Sequence, residues 1–431
     1  MMSPTDNKAI AVVVDAYSSG NFFPAACARL DASLIHIQST RELITSMLPP
    51  NLSDYIDNII CTDEVAVVEH LRQYSPVCVI AGQESAVPLA DRLSESLGLP
   101  SNGSKLSRAR RDKYEMIEAL RHAGLRCAQQ FKSSDSTALA QWADRNGTYP
   151  VVIKPLSSAA TDGVYICNSA EKVIAAAEKI LTSQDIFDVP NKEVLIQSYL
   201  EGTEYIVDTV SCDGHRYVCG VWQYEKSLLP SGKNIYDKDI LVDPHSEPSP
   251  ELISYVDEVL NALNIRWGAA HAEVIMTAGG PALVEIGARL NGNIDPGFHD
   301  VCLGNNQVTL TAKAYLHPEE FQEKFSDQVY SKLQPAVVYN APTVLDGIVD
   351  SIDQAVVDEI RKLESVHLVS VKLKPGARIR PTIDLLTSPL RIFMTAASRE
   401  QLVSDYEEIR RLKDFVYRVK CRRYLNGAGS P

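Results

Sequence analysis

The sequence has no excess of positive charge: 42 Lys and Arg stand against 55 Asp and Glu, giving a formal charge of -13 and a pI near 5.2. Without a basic stripe to neutralise phosphates, nucleic acid and anionic membrane are excluded as the main partner. No apolar run approaches the roughly 20 residues that cross a bilayer. The start, Met1-Met-Ser-Pro-Thr-Asp-Asn-Lys8, lacks the basic region, apolar run and cleavage site of a signal peptide. The nine cysteines are scattered, odd in number and never spaced Cys-x-x-Cys. That pattern predicts reduced thiols in a cytoplasmic protein, with neither a disulfide framework nor a zinc site. No G-x-G-x-x-G follows an early strand, which removes the main evidence for hydride chemistry, and the Walker A spacing is absent. Ser, Cys and His form no local word for a covalent nucleophile.

What is present describes a folded protein of several domains. A chain of 431 residues, 45% hydrophobic and 23% charged, is too long for one ordinary core. Ile10 to Val14 and Val77 to Ala81 are short, β-branched apolar runs of the buried parallel kind, each followed by a loop and a helical pattern. They predict a small open α/β domain over 1–104. A helix from Ser107 to Ala123 opens a second part, 105–192, and strands follow at Val151 to Lys154, Val164 to Cys167, Val194 to Ser198, Tyr205 to Ser211 and Tyr217 to Tyr224. The third part spans 193–330, and its segment Lys226 to Pro250, rich in Ser, Pro, Asp and Gly, reads as a long loop. A last α+β unit covers 331–431, with strands near Val337, Val366 to Lys372 and Ile392 to Thr395 and helices near 353 to 363 and 398 to 412.

Three segments carry chemistry. Around Glu273 and Glu285, apolar residues predict two strands joined at Ala278-Gly-Gly-Pro281. A turn centred near Gly279 sets the two carboxylates opposite each other, an arrangement that destabilises a sheet unless a cation lies between them. Mg2+ is the natural resident, since it prefers carboxylate, phosphate and water oxygens. A solvated hairpin whose glutamates never meet is the plainer alternative. Next, Tyr149-Pro-Val-Val-Ile-Lys-Pro155 runs into the small-residue stretch Leu156 to Gly163, where Lys154 and backbone N–H groups can serve a polyphosphate; an ordinary hairpin with a surface lysine is the plainer reading of the stretch alone. Finally, Glu193-Val-Leu-Ile-Gln-Ser-Tyr-Leu-Glu-Gly-Thr-Glu204 is a strand entering an acidic connection, which suits an adenine edge and ribose hydroxyls or, more simply, an edge strand and turn.

The words Gly98-Leu-Pro100, Arg111-Asp-Lys-Tyr114, Val152-Ile-Lys-Pro155, Ser158-Ala-Ala-Thr-Asp-Gly163, Gln197-Ser-Tyr-Leu-Glu-Gly-Thr-Glu204 and Glu285-Ile-Gly-Ala-Arg289, in this order, resemble the ATP-grasp superfamily over roughly residues 80 to 315. Within it the chain is most similar to carboxylate-amine ligases of the L-amino-acid ligase type, a class that includes makers of small dipeptide antimetabolites such as tabtoxin-type biosynthetic ligases. The resemblance implies an α/β (α+β) ATP-grasp fold with an N-terminal Rossmann-like domain, and ADP-forming ligation of two amino acids through an acyl phosphate. Its cofactors are ATP and Mg2+, two ions in the usual set, with Mn2+ as a substitute. It implies that Lys113 and Lys154 grip phosphates, that Ser157, Ser158, Thr161 and Gly163 belong to a phosphate lid, that Gln197, Ser198, Tyr199 and Leu200 form the adenine hinge, and that Glu204 meets the ribose. Glu273 and Glu285 match the metal pair, Arg289 the arginine on the acyl phosphate or substrate carboxylate, and Lys226 a further phosphate contact.

Glu84 ends a first-domain strand where open α/β sheets place ligands, so it suits a substrate ammonium or a solvated loop. Many ATP-grasp enzymes carry Asn two residues after the second metal glutamate; here that position is Gly287. Asn291, Asn293 or water can replace the amide, or the two asparagines shape the substrate pocket or a turn around Gly292. No general base stands out, His271 and Glu225 being near in sequence only. A carboxylase or purine-pathway ligation and a non-catalytic ATP-binding regulator are the alternatives. The expected partners are amino acids, with a homodimer admitted by the frequency of closed assemblies.

Overall fold

Alternation along Ala9–Val14 builds the first layer in the computed structural model, which describes residues 8–44, 47–146, 149–157, 163–184, 189–228, 234–385 and 387–420. Ala11 and Val13 face one apolar cluster with Leu34 and Ile80, while Val12 and Val14 face another with Ile35, Ile37 and Val79. A strand buried on both faces needs helices on both sides. The parallel sheet runs Asp57–Ile60, Ala32–Gln38, Ala9–Val14, Cys78–Ala81, with helices Phe23–Arg29 and Glu64–Arg72 between strands and Val87–Leu97 after the last.

A second, antiparallel sheet is ordered Gln130–Ser133, Val194–Ser198, Val151–Pro155, Tyr165–Cys167. Helices Ser136–Asn146 and Ala170–Leu181 cover its apolar face through Leu139, Ala143, Val173 and Ile180. The third layer places Gly280–Gly287 beside Gly268–Thr277, which pairs with Gly202–Cys212.

By internal contacts the chain divides into two compact units, 1–222 with 242–331, and 223–241 with 332–431. In the second unit, Asn234–Leu241, Ala336–Ala341, Leu390–Thr395 and Val366–Val371 form an antiparallel sheet covered by helices Gln354–Arg361 and Arg399–Leu412. Strands Arg378–Ile379, Gly347–Ile352 and Tyr417–Lys420 make a small sheet of their own.

Two sequence readings are corrected. The long loop expected over Lys226 to Pro250 holds the end of strand His215–Leu228 and all of Asn234–Leu241. Its acids misled, because Asp237 and Asp239 are buried within the strand. The helix expected from Ser107 begins at Lys113, where Asp112 caps it by accepting from the Tyr114 and Glu115 N–H groups. The residues before it form turns tied down by the fully buried Arg110, which meets Asp91 at 2.7 Å and donates to the Leu263, Asn102 and Gly103 carbonyls. No described helix is long and apolar enough to cross a membrane.

Candidate active site

The acidic hairpin is the floor of the site, and its register has an unexpected origin. Thr277 pairs with Gly280, so the turn is the two residues Ala278 and Gly279 and is centred half a residue short of the expected point. Continued regularly, that register would set Glu273 against Val284. A bulge between Val274 and Glu273 takes up Val284 and brings Glu273 opposite Glu285. Strand alternation then puts His271 and Glu273 on one face with Glu285 and Gly287. Across the other edge, Asp208 lies opposite His271, while Glu204 lies opposite Ile275 and on the same face.

Cations meet these acids from two other elements. The Lys113 N–H donates to the Leu156 carbonyl at 2.9 Å, so main chain joins the capped helix to the end of the Lys154 strand. The Lys113 ammonium reaches Glu285 Oε2 at 2.6 Å. Lys154 is buried rather than a surface lysine, with 4% of its surface exposed. Burial and the neighbouring Lys113 push its ammonium down to about 8, against the opposing pull of Glu285, Glu273 and Glu204. Burial tends to raise the Glu285 carboxyl, but Lys113, Lys154 and Arg289 together hold it below the usual carboxylate range.

Beside the glutamates runs a buried polar chain. His271 is desolvated, yet Asp208, 2.7 Å from Nδ1, and Glu273, 3.6 Å from Nε2, raise it to about 9. With both nitrogens facing carboxylates, the ring is poorly suited to be the base for an incoming amine. Asp208 also accepts from Asn291 Nδ2 at 2.9 Å, and Asn291 Oδ1 accepts from the Asn293 N–H at 2.8 Å. The Asn291 amide is thereby committed at both ends, which argues against it as the replacement metal ligand. At the other margin Glu84 Oε2 accepts from Arg289 Nε at 2.9 Å, and Arg111 approaches Oε1 at 3.8 Å. Glu84 is thus a buried, ion-paired residue and not a solvated loop glutamate.

The remaining expected residues are distributed as follows. Gln197 is buried and donates to Gln130 Oε1, Ser198 Oγ accepts from the Gln129 N–H, Tyr199 is exposed, and Leu200 follows the strand end. Ser157 ends the described approach to the lid; Ser158 and Thr161 lie outside the described residues. Gly163 has φ +67°, the left-handed region that favours glycine, and a Cβ there would stand 2.9 Å from the Pro155 ring. Lys226 belongs to the segment 223–241 of the second unit, with its ammonium 4.6 Å from the Tyr236 ring centre. The sequence reading gave no role to Asp208 or Arg111. A lone acid inside the apolar run Tyr205 to Ser211 was the available signal for the first.

Among the described residues, no group of three or more His, Cys, Asp and Glu side chains makes a ready metal cage. Two opposed carboxylates flanked by lysines do fit a hard cation that takes its other ligands from phosphate and water. Chemically, the site can bring two anions together and neutralise charge that moves between them.

Comparison with known proteins identifies the family and the fold. Residues 147–296 match the ATP-grasp domain family. Dapdiamide A synthase of Enterobacter agglomerans is 33% identical over 424 residues, covering 97% of this chain and 99% of that one. The L-amino acid ligase of Bacillus licheniformis has the same fold at 20% identity, TM-score 0.74, covering 95% and 98% of the two chains. So does the biotin carboxylase domain dimer of Hydrogenobacter thermophilus 2-oxoglutarate carboxylase, solved with MgADP and bicarbonate, at 14% identity and TM-score 0.63, covering 95% and 90%. The chain belongs to the ATP-grasp carboxylate-amine ligases, the ADP-forming class.

Proposed function

We propose that the protein uses ATP and Mg2+ to join two amino acids into a dipeptide or a close amide relative, releasing ADP and phosphate. The observation that carries this reading is the convergence of Lys113, Lys154, Glu273 and Glu285 beside the Arg289–Glu84 pair. The name of the Enterobacter relative supports a biosynthetic amide as product.

An amine cannot displace oxide from a carboxylate, so an oxygen of the first amino acid must become a leaving group. That oxygen attacks the γ-phosphorus of ATP; the new P–O bond forms as the bond to the ADP oxygen breaks, giving an acyl phosphate. Lys113 and Lys154 would neutralise the phosphates, and Arg289 the carboxylate as it approaches them. Glu273 and Glu285 would hold Mg2+, which supplies charge stabilisation on phosphate oxygens when bound. The neutral amine of the second amino acid then attacks the acyl carbon, and phosphate leaves with the original carboxylate oxygen and takes up the proton the amine gives up. Gln197 to Leu200 would line the adenine and Glu204 the ribose. The 157–163 segment, with Ser158 and Thr161, would exclude water from the acyl phosphate.

The finer parts of the proposal are a second metal ion, Mn2+ as a substitute, Lys226 as a phosphate contact, Asn293 in the substrate pocket, a homodimer, and division of labour among 1–104, 105–192, 193–330 and 331–431. Cytoplasmic residence is supported by the eight free cysteines among the described residues. The test is ADP release with ATP, Mg2+ and paired amino acids, with the product identified by mass. Amino-acid-dependent turnover is expected. Dependence on bicarbonate instead would favour a carboxylase, and ATP binding without turnover a regulator.

A further inference from the structure

Gly287 has no conformational need to be glycine, since its backbone lies outside the left-handed region. Its need is space. A Cβ built on it would stand 2.8 Å from Glu84 Oε2, 3.1 Å from Arg289 Cζ and 3.2 Å from Arg289 Nε. The volume a side chain would take is therefore filled by the ion pair. The gap left among the pair, Lys113 and Glu285 is about 10 Å³, barely room for one water.

A substitution at 287 would move the pair's ends and spare the backbone behind them. The turn presenting Glu84 is fixed: the Gly82 N–H donates to the Val14 carbonyl, the Glu84 N–H to Gln83 Oε1, and Ser85 Oγ to Asp15 Oδ2 at 2.7 Å. Arg289 is held from its other side by the Leu290 carbonyl, 2.8 Å from Nη1. The nearest atom to such a Cβ is Glu84 Oε2 at 2.8 Å, the far end of a flexible side chain, so the bond to Arg289 Nε is the contact placed under pressure.

We propose that Gly287 is a specificity-determining residue: by carrying no side chain it admits the Glu84–Arg289 pair to the edge of the acidic hairpin, where the pair receives the ammonium and carboxylate of a zwitterionic amino acid. This rests on the ligase reading above. An amino acid presents both charges on neighbouring atoms, so it can bridge a carboxylate and a guanidinium and leave no buried charge unpaired. A simple carboxylic acid offers Glu84 no ammonium and brings a second anion beside it.

The test compares wild type, Gly287→Ala, Glu84→Gln and the double variant by KM for each amino acid, KM for ATP and Tm. Gly287→Ala is expected to raise KM for one amino acid by roughly tenfold or more, the cost of one charged hydrogen bond, with a lower Tm from the disturbed buried pair, while KM for ATP keeps its wild-type value. Added to Glu84→Gln, it should cost little further. Unchanged KM for both amino acids, equal losses for ATP and amino acid, or fully additive effects would overturn the proposal. If wild type responds to no amino acid, the ligase reading fails instead; the Gly287→Ala crystal structure then decides, and an intact Glu84–Arg289 bond there refutes the steric claim.

Discussion

Glu285 touches more of the proposed chemistry than any other side chain: it meets Lys113 directly, feels Lys154 and Arg289, and faces Glu273. Glu285→Ala is expected to lower kcat for ADP release by about a hundredfold to a thousandfold, the usual loss on removing one charge stabiliser, with circular dichroism unchanged. A variant of near-normal kcat would remove Glu285 from the mechanism. In the second unit, burial and nearby Arg391 push Lys372 down to about 7. Its folded value lies below its unfolded one, so the unfolded chain binds more protons above about pH 7 and stability rises with pH there. Lys372→Met should flatten that rise, read as the shift in urea midpoint between about pH 7 and about pH 9; equal shifts in both proteins would contradict it. At this scale residue type and pattern pointed to Glu273, Glu285 and Lys154, and the family resemblance to Lys113, four residues that the structure brings together. The sequence was silent on Asp208, Arg111 and the crowding at Gly287, because those depend on what lies across a strand or a loop.

Elements were legible where period and composition agree, and obscure where acids sit inside strands. The runs at Ile10 and Val79 gave two of the four parallel strands, whereas Ala32–Gln38 and Asp57–Ile60 were not read and Asn234–Leu241 hid behind Asp237 and Asp239. The hairpin pairing was expected from a turn centre that does not occur; the bulge at Val284 restores it, and nothing in a residue pattern announces a bulge. Helix Lys113–His122 offers a test of how an element aims a side chain. Asp112→Ala removes the cap and should cost about 1 kcal/mol of stability, together with weaker ATP binding, because Lys113 is the first helical residue. Asp112→Ser, which can also cap, should recover both. Loss of stability with ATP affinity unchanged would show that the cap does not position the lysine.

For the whole molecule, a net acidic chain that handles ATP must gather its cations locally, and the site does so with Lys113, Lys154, Arg111 and Arg289 around three glutamates. Chelating divalent cations should stop ADP release and added Mg2+ should restore it; full turnover in chelator would contradict the carboxylate pair's role. The central claim is that an amino-acid carboxylate oxygen becomes displaceable by accepting the γ-phosphoryl group, and the fate of that oxygen tests it most directly. With the activated amino acid labelled by 18O in its carboxylate, mass spectrometry of the products should find one labelled oxygen in the inorganic phosphate and none in the nucleotide. Label in AMP, or phosphate free of label, would contradict the acyl phosphate and the account built on it.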